Sequence, residues 1–265
     1  MAGCPNTTRD SVVYESRGLK IFGAVHRRIG PASGACPGVV MYHGFLASKC
    51  QPPHRLFVQL AEALSGVGIV SLRIDLPGRG DSEGESIDLT VEDDLAAAQG
   101  AIDVLAAQPD VDGGRIGLLG ISWGGVLAAT LAGRDPRVAA TVLLSTAPYE
   151  QVGWKPKLQQ VEGRRVYKFV GNLVGDQFFA GLRQLHPVDD LARTGGPVAY
   201  IYGTRDRLID AAALGKLQQR LMAAGVPLDV IPINNGDHVF MAPGLQRQVI
   251  DGTVTWFRRT LHTET

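Results

Sequence analysis

A serine framed by two glycines is the strongest candidate for chemistry in this sequence. The motif Gly-Ile-Ser-Trp-Gly at 120–124 follows the apolar run 116–121 and precedes a helical pattern that begins near Val126. A sharp turn from strand to helix lifts a serine hydroxyl above the sheet edge, and the flanking glycines avoid collisions with neighbouring backbone. The pattern therefore predicts Ser122 as a nucleophile. The alternative is that Ser122 only caps the following helix, a frequent role of serine.

Two later loops carry the partners that such a serine needs. An aliphatic hydroxyl attacks only when a base takes its proton and an acid holds that base in the right tautomer. Asp206 follows the apolar run 198–202, and His238 follows the run 228–233. The order Ser, Asp, His, each after a different predicted strand, predicts His238 as general base and Asp206 as its orienting acid.

Each of these partners also has a structural alternative. Asp206 alone could be an acid that stabilises a turn, and His238 alone could be a hydrogen-bonded loop histidine. Asp210 and Asp237 lie close by in the sequence and are rival candidates for the orienting acid.

The loop His43-Gly44-Phe45 comes directly after the apolar run 39–42. Acyl transfer needs backbone donors for its oxyanion, one from the residue after the nucleophile and one from the loop after the third strand. We therefore predict the amides of Phe45 and Trp123 as the oxyanion hole, with His43 bracing the loop. The alternative is that this loop is an ordinary turn.

Hydrophobic periodicity predicts the elements that position these residues. Short apolar runs alternate with helical patterns, which is typical of crossover units and a parallel sheet. The predicted strands cover 39–42, 69–74, 116–121, 141–144, 198–202 and 228–233, after an antiparallel hairpin at 12–15 and 21–26. Ligands gather at the carboxyl edge of open α/β sheets, so the three candidate residues are expected to meet there.

Helical spacing of apolar residues predicts four helices, with buried stripes at 57–64, 95–105, 214–221 and 250–261. Thr90 is expected to cap the second helix by accepting a hydrogen bond from the amide three residues on.

The segment 149–187 breaks the alternation of strands and helices, because it mixes aromatic with basic residues. We interpret it as a lid inserted over the sheet, with Trp154, Phe178 and Phe179 in contact with substrate. The sequence has no internal repeat or linker, so residues 1–265 are predicted to form a single domain.

Composition narrows the classes of protein and partner. The 265 residues are 45% hydrophobic and 20% charged, as in ordinary soluble globular proteins. Equal numbers of basic and acidic residues, 26 of each, argue against a nucleic acid or a membrane surface as partner and favour a small molecule. The neutral surface is compatible with a homodimer but does not require one.

Cysteine usage and the N-terminal sequence bear on location. Cys4, Cys36 and Cys50 form an odd set without metal-like spacing, and residues 1–10 lack a secretion signal. No apolar run approaches the roughly 18 residues that would cross a bilayer. We therefore expect a cytoplasmic protein without a transmembrane span.

Two cofactor classes are disfavoured by spacing. The glycines around Arg79 fail the Gly-x-Gly-x-x-Gly pattern of dinucleotide sites. Four histidines have no cysteines or acids near them at metal spacings: His26, His54, His186 and His262. We therefore predict neither an organic cofactor nor a metal.

These motifs together resemble the α/β-hydrolase superfamily, from about residue 12 to residue 261. The resemblance rests on His43-Gly44-Phe45, Asp-Leu-Pro-Gly-Arg-Gly-Asp-Ser at 75–82, Gly-Ile-Ser-Trp-Gly-Gly at 120–125, Asp206 and His238. Within the superfamily, the chain looks like the bacterial serine esterases that include cinnamoyl and feruloyl esterases and serine aminopeptidase-like hydrolases. The resemblance implies an α/β-hydrolase fold, with a mostly parallel central sheet and helices on both faces. It also implies carboxylic-ester cleavage without a cofactor.

One departure from this family concerns the neighbours of the nucleophile. Many relatives have His before the serine and Gln or Met after it, where this chain has Ile121 and Trp123. An indole beside the nucleophile would shape or narrow the acyl pocket, so the relatives' substrate preference does not carry over.

The expected activity is hydrolysis of a small-molecule acyl ester through an acyl-enzyme. The same triad serves thioesterases and aminopeptidase-like amidases, because fold and machinery do not set the leaving group. A third alternative, from another class, is a ligand receptor on a hydrolase scaffold with little turnover.

Overall fold

The computed structural model describes residues 7–30, 34–146, 158–169, 171–209 and 211–262. The strands of these residues are β1 (Thr7–Ser16), β2 (Leu19–Arg28), β3 (Cys36–Tyr42), β4 (Val70–Ile74), β5 (Val111–Ile121), β6 (Val138–Leu144), β7 (Leu158–Val161), β8 (Arg164–Phe169), β9 (Asn172–Gly175), β10 (Val198–Gly203) and β11 (Leu228–Ile233). The helices are α1 (Leu56–Gly66), α2 (Val91–Ala106), α3 (Trp123–Ala132), α4 (Asp176–Leu182), α5 (Pro187–Leu191), α6 (Ala211–Ala223) and α7 (Pro243–Leu261).

The main sheet has eight strands in the order β1-β2-β4-β3-β5-β6-β10-β11. The six strands from β4 to β11 pair in parallel, whereas β2 pairs antiparallel with both β1 and β4. The predicted hairpin and parallel sheet are therefore confirmed. The first strand is longer than predicted because its polar residues from Thr7 onward pair with β2 as far as Arg28.

The register of the parallel strands brings their carboxyl ends to one edge. Tyr42 of β3 lies opposite Gly120 of β5, and Ile121 lies opposite Leu144 of β6. Leu144 in turn lies opposite Ile201 of β10. The loops that leave these strands therefore start side by side, which is where ligands bind in open α/β sheets.

Helices cover both faces of the sheet. One buried cluster combines the sheet with α2, α3 and α6, and a second combines its other face with α1 and α7. Central strands of such a sheet are buried on both sides, which explains why they consist of continuous apolar runs. The four predicted helices all form.

The second helix, α2, begins as its sequence predicts. The hydroxyl of Thr90 accepts a hydrogen bond from the amide of Asp93 at 3.1 Å, which satisfies one of the amides that a helix start leaves unpaired.

A second, antiparallel sheet in the order β7-β8-β9 lies within the predicted lid segment. Its strands are only four to six residues long and β7 is largely exposed, so they carry no hydrophobic alternation to detect in the sequence. The expectation that this segment covers the site stays a prediction.

Among the helices that the structure describes, none is long and apolar enough to cross a bilayer.

Candidate active site

Ser122 lies at the turn between β5 and α3, with φ 54° and ψ −116°. This backbone conformation is strained for a residue with a side chain and is typical of a nucleophile turn. Its hydroxyl makes no capping hydrogen bond to α3, so the alternative of Ser122 as a simple helix cap is wrong. A Cβ at Gly120 would collide with the backbone of Gly124, which explains the first glycine of the motif.

Asp206 and His238 lie together at the same sheet edge. Nδ1 of His238 is 2.8 Å from Oδ2 of Asp206, and the other carboxylate oxygen accepts the amide of Leu208 at 2.9 Å. The Asp206 side chain is fully buried, whereas the His238 side chain is 23% exposed. With the Nδ1 proton donated to the carboxylate, Nε2 is the nitrogen left to accept a proton.

The loops after β10 and β11 are joined by backbone hydrogen bonds that hold this pair. The amide of Arg205 donates to the carbonyl of Gly236 at 2.8 Å, and the amide of Thr204 donates to the carbonyl of Ile233 at 3.0 Å. A Cβ at Gly203 would collide with the carbonyl of Gly236, so the close approach requires glycine there.

The rival acid Asp237 has a different place in the structure. Its carboxylate accepts the amides of Val239 and Met241 at 3.0 to 3.2 Å, so it stabilises its own turn. The other rival, Asp210, lies outside the described residues.

Both predicted oxyanion residues belong to segments that lie next to Ser122. Trp123 is the first residue of α3, where a helix leaves its amides without intrahelical acceptors. In the loop after β3, a Cβ on Gly44 would lie 3.7 Å from Cβ of Ser122, so the loop that carries Phe45 runs beside the serine. The buried Gln51 holds this loop, because its Oε1 accepts the Gly44 amide at 2.9 Å.

His43 braces the same loop and is fully buried. Its Nε2 accepts the amide of Leu76 at 3.0 Å, and its Nδ1 is 2.8 Å from the carbonyl of Gly44, to which it donates. Desolvation by burial lowers the pKa of His43 to about 4, so the ring is neutral near pH 7. His43 therefore stabilises the loop through its hydrogen bonds and does not transfer protons, as predicted.

The motif at 75–82 also has a structural role. The buried carboxylate of Asp75 accepts the amide of Asp81 at 2.8 Å and the amide of Lys49 at 2.5 Å, and it pairs with the Lys49 ammonium. Gly80 has φ 57°, and a Cβ there would collide with the Asp75 carboxylate. The motif therefore ties the loop after β4 to the loop after β3.

One aromatic ring from α4 packs against both predicted oxyanion residues. The ring of Phe178 lies 5.1 Å from the ring of Phe45 and 5.2 Å from that of Trp123, in centroid distances. The ring of Phe179 packs against the ring of Phe178 and, at a centroid distance of 4.5 Å, against the ring of Tyr167. Trp154, the third predicted substrate contact, lies outside the described residues. Substrate contact by any of them stays a prediction.

Two residues that contact this region, Asp94 and Arg79, were not predicted from the sequence to belong to the site. Asp94 is fully buried on α2 and accepts a hydrogen bond from the Trp123 indole at 2.8 Å, while Arg79 donates to the same carboxylate at 2.5 Å. The sequence did contain one indication that Asp94 is buried: it lies on the buried stripe of α2, three residues after Val91 and four before Ala98.

In the described part of the chain, no cluster of three or more His, Cys, Asp or Glu residues could hold a metal ion.

A family model described as the alpha/beta hydrolase family matches residues 39–248, which is most of the chain. The chain belongs to the α/β hydrolase family. The membership predicted from the motifs is thereby confirmed, together with the fold that it implied.

The relatives of this α/β hydrolase are distant. An uncharacterized protein of Mycobacterium tuberculosis is 27% identical over 221 residues, which are 82% of this chain and 66% of the relative. The thiohydrolase aneE of Aspergillus aculeatus is 31% identical over 142 residues, which are 53% of this chain and 42% of the relative. The chain thus spans less than two thirds of the length of each of these relatives.

Among solved structures, the α/β hydrolase is similar to Est1E of Butyrivibrio proteoclasticus with ferulic acid bound. The TM-score is 0.79 at 18% identity, and the match covers 94% of this chain and 98% of Est1E. At this identity the likeness shows the fold alone.

Proposed function

We propose that this chain hydrolyses carboxylic esters through a Ser-His-Asp triad. The observation that carries the proposal is the 2.8 Å contact between His238 and Asp206 at the sheet edge where Ser122 occupies a nucleophile turn. A histidine held in one tautomer by a buried carboxylate is the base that acyl transfer to a serine hydroxyl needs.

The proposed reaction has two steps. Oγ of Ser122 attacks the ester carbonyl carbon while Nε2 of His238 takes the hydroxyl proton, and the alcohol leaves with that proton. Water then attacks the acyl-serine with His238 again as base, which releases the acid and restores the serine. In both steps the oxyanion accepts hydrogen bonds from the amides of Phe45 and Trp123.

The ring cluster beside these amides supports a small or flat aromatic acyl or alcohol group. Phe178 is 2% exposed and Trp123 is 7% exposed, so both rings are packed in place, and Phe178 also contacts the ring of Phe45. The ferulic acid bound to Est1E is an aromatic acid, which is compatible with this inference.

The experiment compares wild type with Ser122→Ala on nitrophenyl acetate and nitrophenyl butyrate. Removing the nucleophile is expected to abolish turnover and fluorophosphonate labelling without changing the folded state. Ser65→Ala is the matched control, because that hydroxyl donates to the Ala61 carbonyl within α1. Hydrolysis by Ser122→Ala at the wild-type rate would refute the proposal. Failure of wild type to label would favour the ligand-receptor alternative.

A thioester is the second candidate substrate class, supported by the likeness to a fungal thiohydrolase. The same triad would act on it, since the leaving group is set by the pocket. Catalytic efficiencies toward matched acyl esters, acyl thioesters and aminoacyl anilides separate the classes. We expect esters to be preferred over anilides.

A further inference from the structure

A buried ion pair connects the loop after β4 with α2. Arg79 is 4% exposed and Asp94 is fully buried, and Nη1 of Arg79 lies 2.5 Å from Oδ1 of Asp94. The same Nη1 donates to the carbonyl of Pro77 at 2.9 Å. The other carboxylate oxygen, Oδ2, accepts the indole N–H of Trp123 at 2.8 Å.

The pair contacts both residues to which the oxyanion amides are assigned. The guanidinium carbon of Arg79 lies 5.7 Å from the centroid of the Phe45 ring, which is a cation–π distance. Asp94 holds the side chain of Trp123 through the indole. Phe178 packs against both rings from the lid segment. Phe45 and Trp123 follow different strands, so this pair is a physical link between their loops.

Fold stability alone does not account for such a pair. A buried ion pair is often no more stabilising than apolar side chains of similar volume, because both charges must leave water. In addition, the Nε and Nη2 groups of Arg79 are buried without a hydrogen-bond acceptor among the described residues. Unsatisfied buried N–H groups lower stability further. A role in positioning the neighbouring residues would explain why this costly ion pair is present.

We propose that Arg79 and Asp94 are positioning residues that hold the amides of Phe45 and Trp123 at the spacing an oxyanion requires. This inference rests on the proposed function. Oxyanion donors act because they are fixed before charge develops, and displacement by about 1 Å can slow an enzyme about 100-fold. Loosening either loop therefore weakens transition-state binding more than substrate binding.

Two single substitutions test this link. Asp94→Asn keeps the shape and one acceptor oxygen but removes the charge that pairs with Arg79. Trp123→Phe keeps the backbone amide and a ring but removes the indole donor. Each is expected to lower kcat on nitrophenyl butyrate about 10- to 100-fold with KM within about twofold. Affinity for a trifluoromethyl ketone, whose adduct with serine carries an oxyanion, should fall by the same factor as kcat/KM.

The matched control is Asp93→Asn on the same helix. Asp93 pairs with Arg17 near the surface and contacts Thr90, so its loss should leave kcat unchanged. The double variant Arg79→Met/Asp94→Leu separates stability from positioning. The Trp123 indole loses its acceptor, but two unsatisfied N–H groups of Arg79 are removed with the pair, so the variant is expected to unfold at a denaturant concentration near that of wild type, yet to show the reduced kcat.

Each outcome supports or overturns the positioning role of Arg79 and Asp94. Wild-type kcat and wild-type ketone affinity in Asp94→Asn and Trp123→Phe would overturn it. A lower unfolding midpoint with unchanged kcat would assign the pair a structural role alone. If Asp94→Asn does not fold, Trp123→Phe and the double variant decide. Failure of wild type to label with fluorophosphonate would instead refute the triad, so the two failures are distinguishable.

Discussion

Nδ1 of His238 lies 2.8 Å from Oδ2 of Asp206, although the two residues are 32 positions apart in the chain. The carboxylate is buried and also accepts the Leu208 amide, so its orientation is fixed. The imidazole is thereby held with its Nδ1 proton toward the acid and Nε2 available as a base.

Asp206→Asn is expected to lower kcat about 1,000- to 10,000-fold while the protein stays folded. An amide can donate to Nδ1 and so favours the wrong tautomer of the histidine. The measurement is kcat on nitrophenyl butyrate, with circular dichroism to monitor folding. Asp237→Asn is the matched control, because an amide oxygen can still accept the Val239 and Met241 amides. A loss below tenfold in Asp206→Asn would argue against its assigned role.

Gly124→Ala is expected to lower the free energy of unfolding by about 3 kcal/mol or more, because a Cβ there would collide with the Tyr42 carbonyl. Gly252→Ala, inside α7, has no atom within 4 Å of the added Cβ and should raise stability by about 1 kcal/mol. Urea unfolding measures both changes. Equal stability of the two variants would contradict the tight contact at the strand-to-helix turn around Ser122.

Acid should destabilise the protein through His43. Its folded pKa is lowered to about 4 by desolvation, below the unfolded value of 6.5. Between these pH values the unfolded state binds more protons, so stability is lost as the pH falls from 6.5 to about 4. The loss from this residue is about 3 kcal/mol.

The measurement for His43 is urea unfolding at several pH values between 7 and 4. His43→Gln should be less stable at pH 7 but should lose less stability on acidification. His26, whose pKa burial lowers to about 3, adds a slope of the same sign in both proteins. Identical pH dependence of wild type and His43→Gln would show that His43 does not titrate as described.

Thr90→Ala is expected to lower the free energy of unfolding by about 1 kcal/mol, because the Asp93 amide loses its acceptor at the start of α2. Thr90→Ser keeps an acceptor oxygen and should retain most of that stability. Thermal or urea unfolding compares the two variants. The capping role would be wrong if both variants lost the same amount.

Local sequence patterns determined most of the fold. Strands such as β3 and β5 are apolar runs because both faces of the sheet are covered, and that burial is visible in the composition of each run. The glycines around Ser122 are equally visible, since only glycine fits the close backbone contacts of that turn. The order of Ser122, Asp206 and His238 along the chain predicted a shared sheet edge, and the register brings the carboxyl ends of β5, β10 and β11 to one edge.

Only the tertiary structure decided which side chains meet. The sequence left Asp206 and Asp237 as rival acids, and their hydrogen bonds alone separate them, through His238 for the first and through local amides for the second. The link from Arg79 through Asp94 to Trp123 was likewise hidden, because its members lie in three separate elements. Hydrophobic periodicity reports which face of an element is buried. It does not report which polar group another element brings to that face, since that depends on loop conformation and strand register.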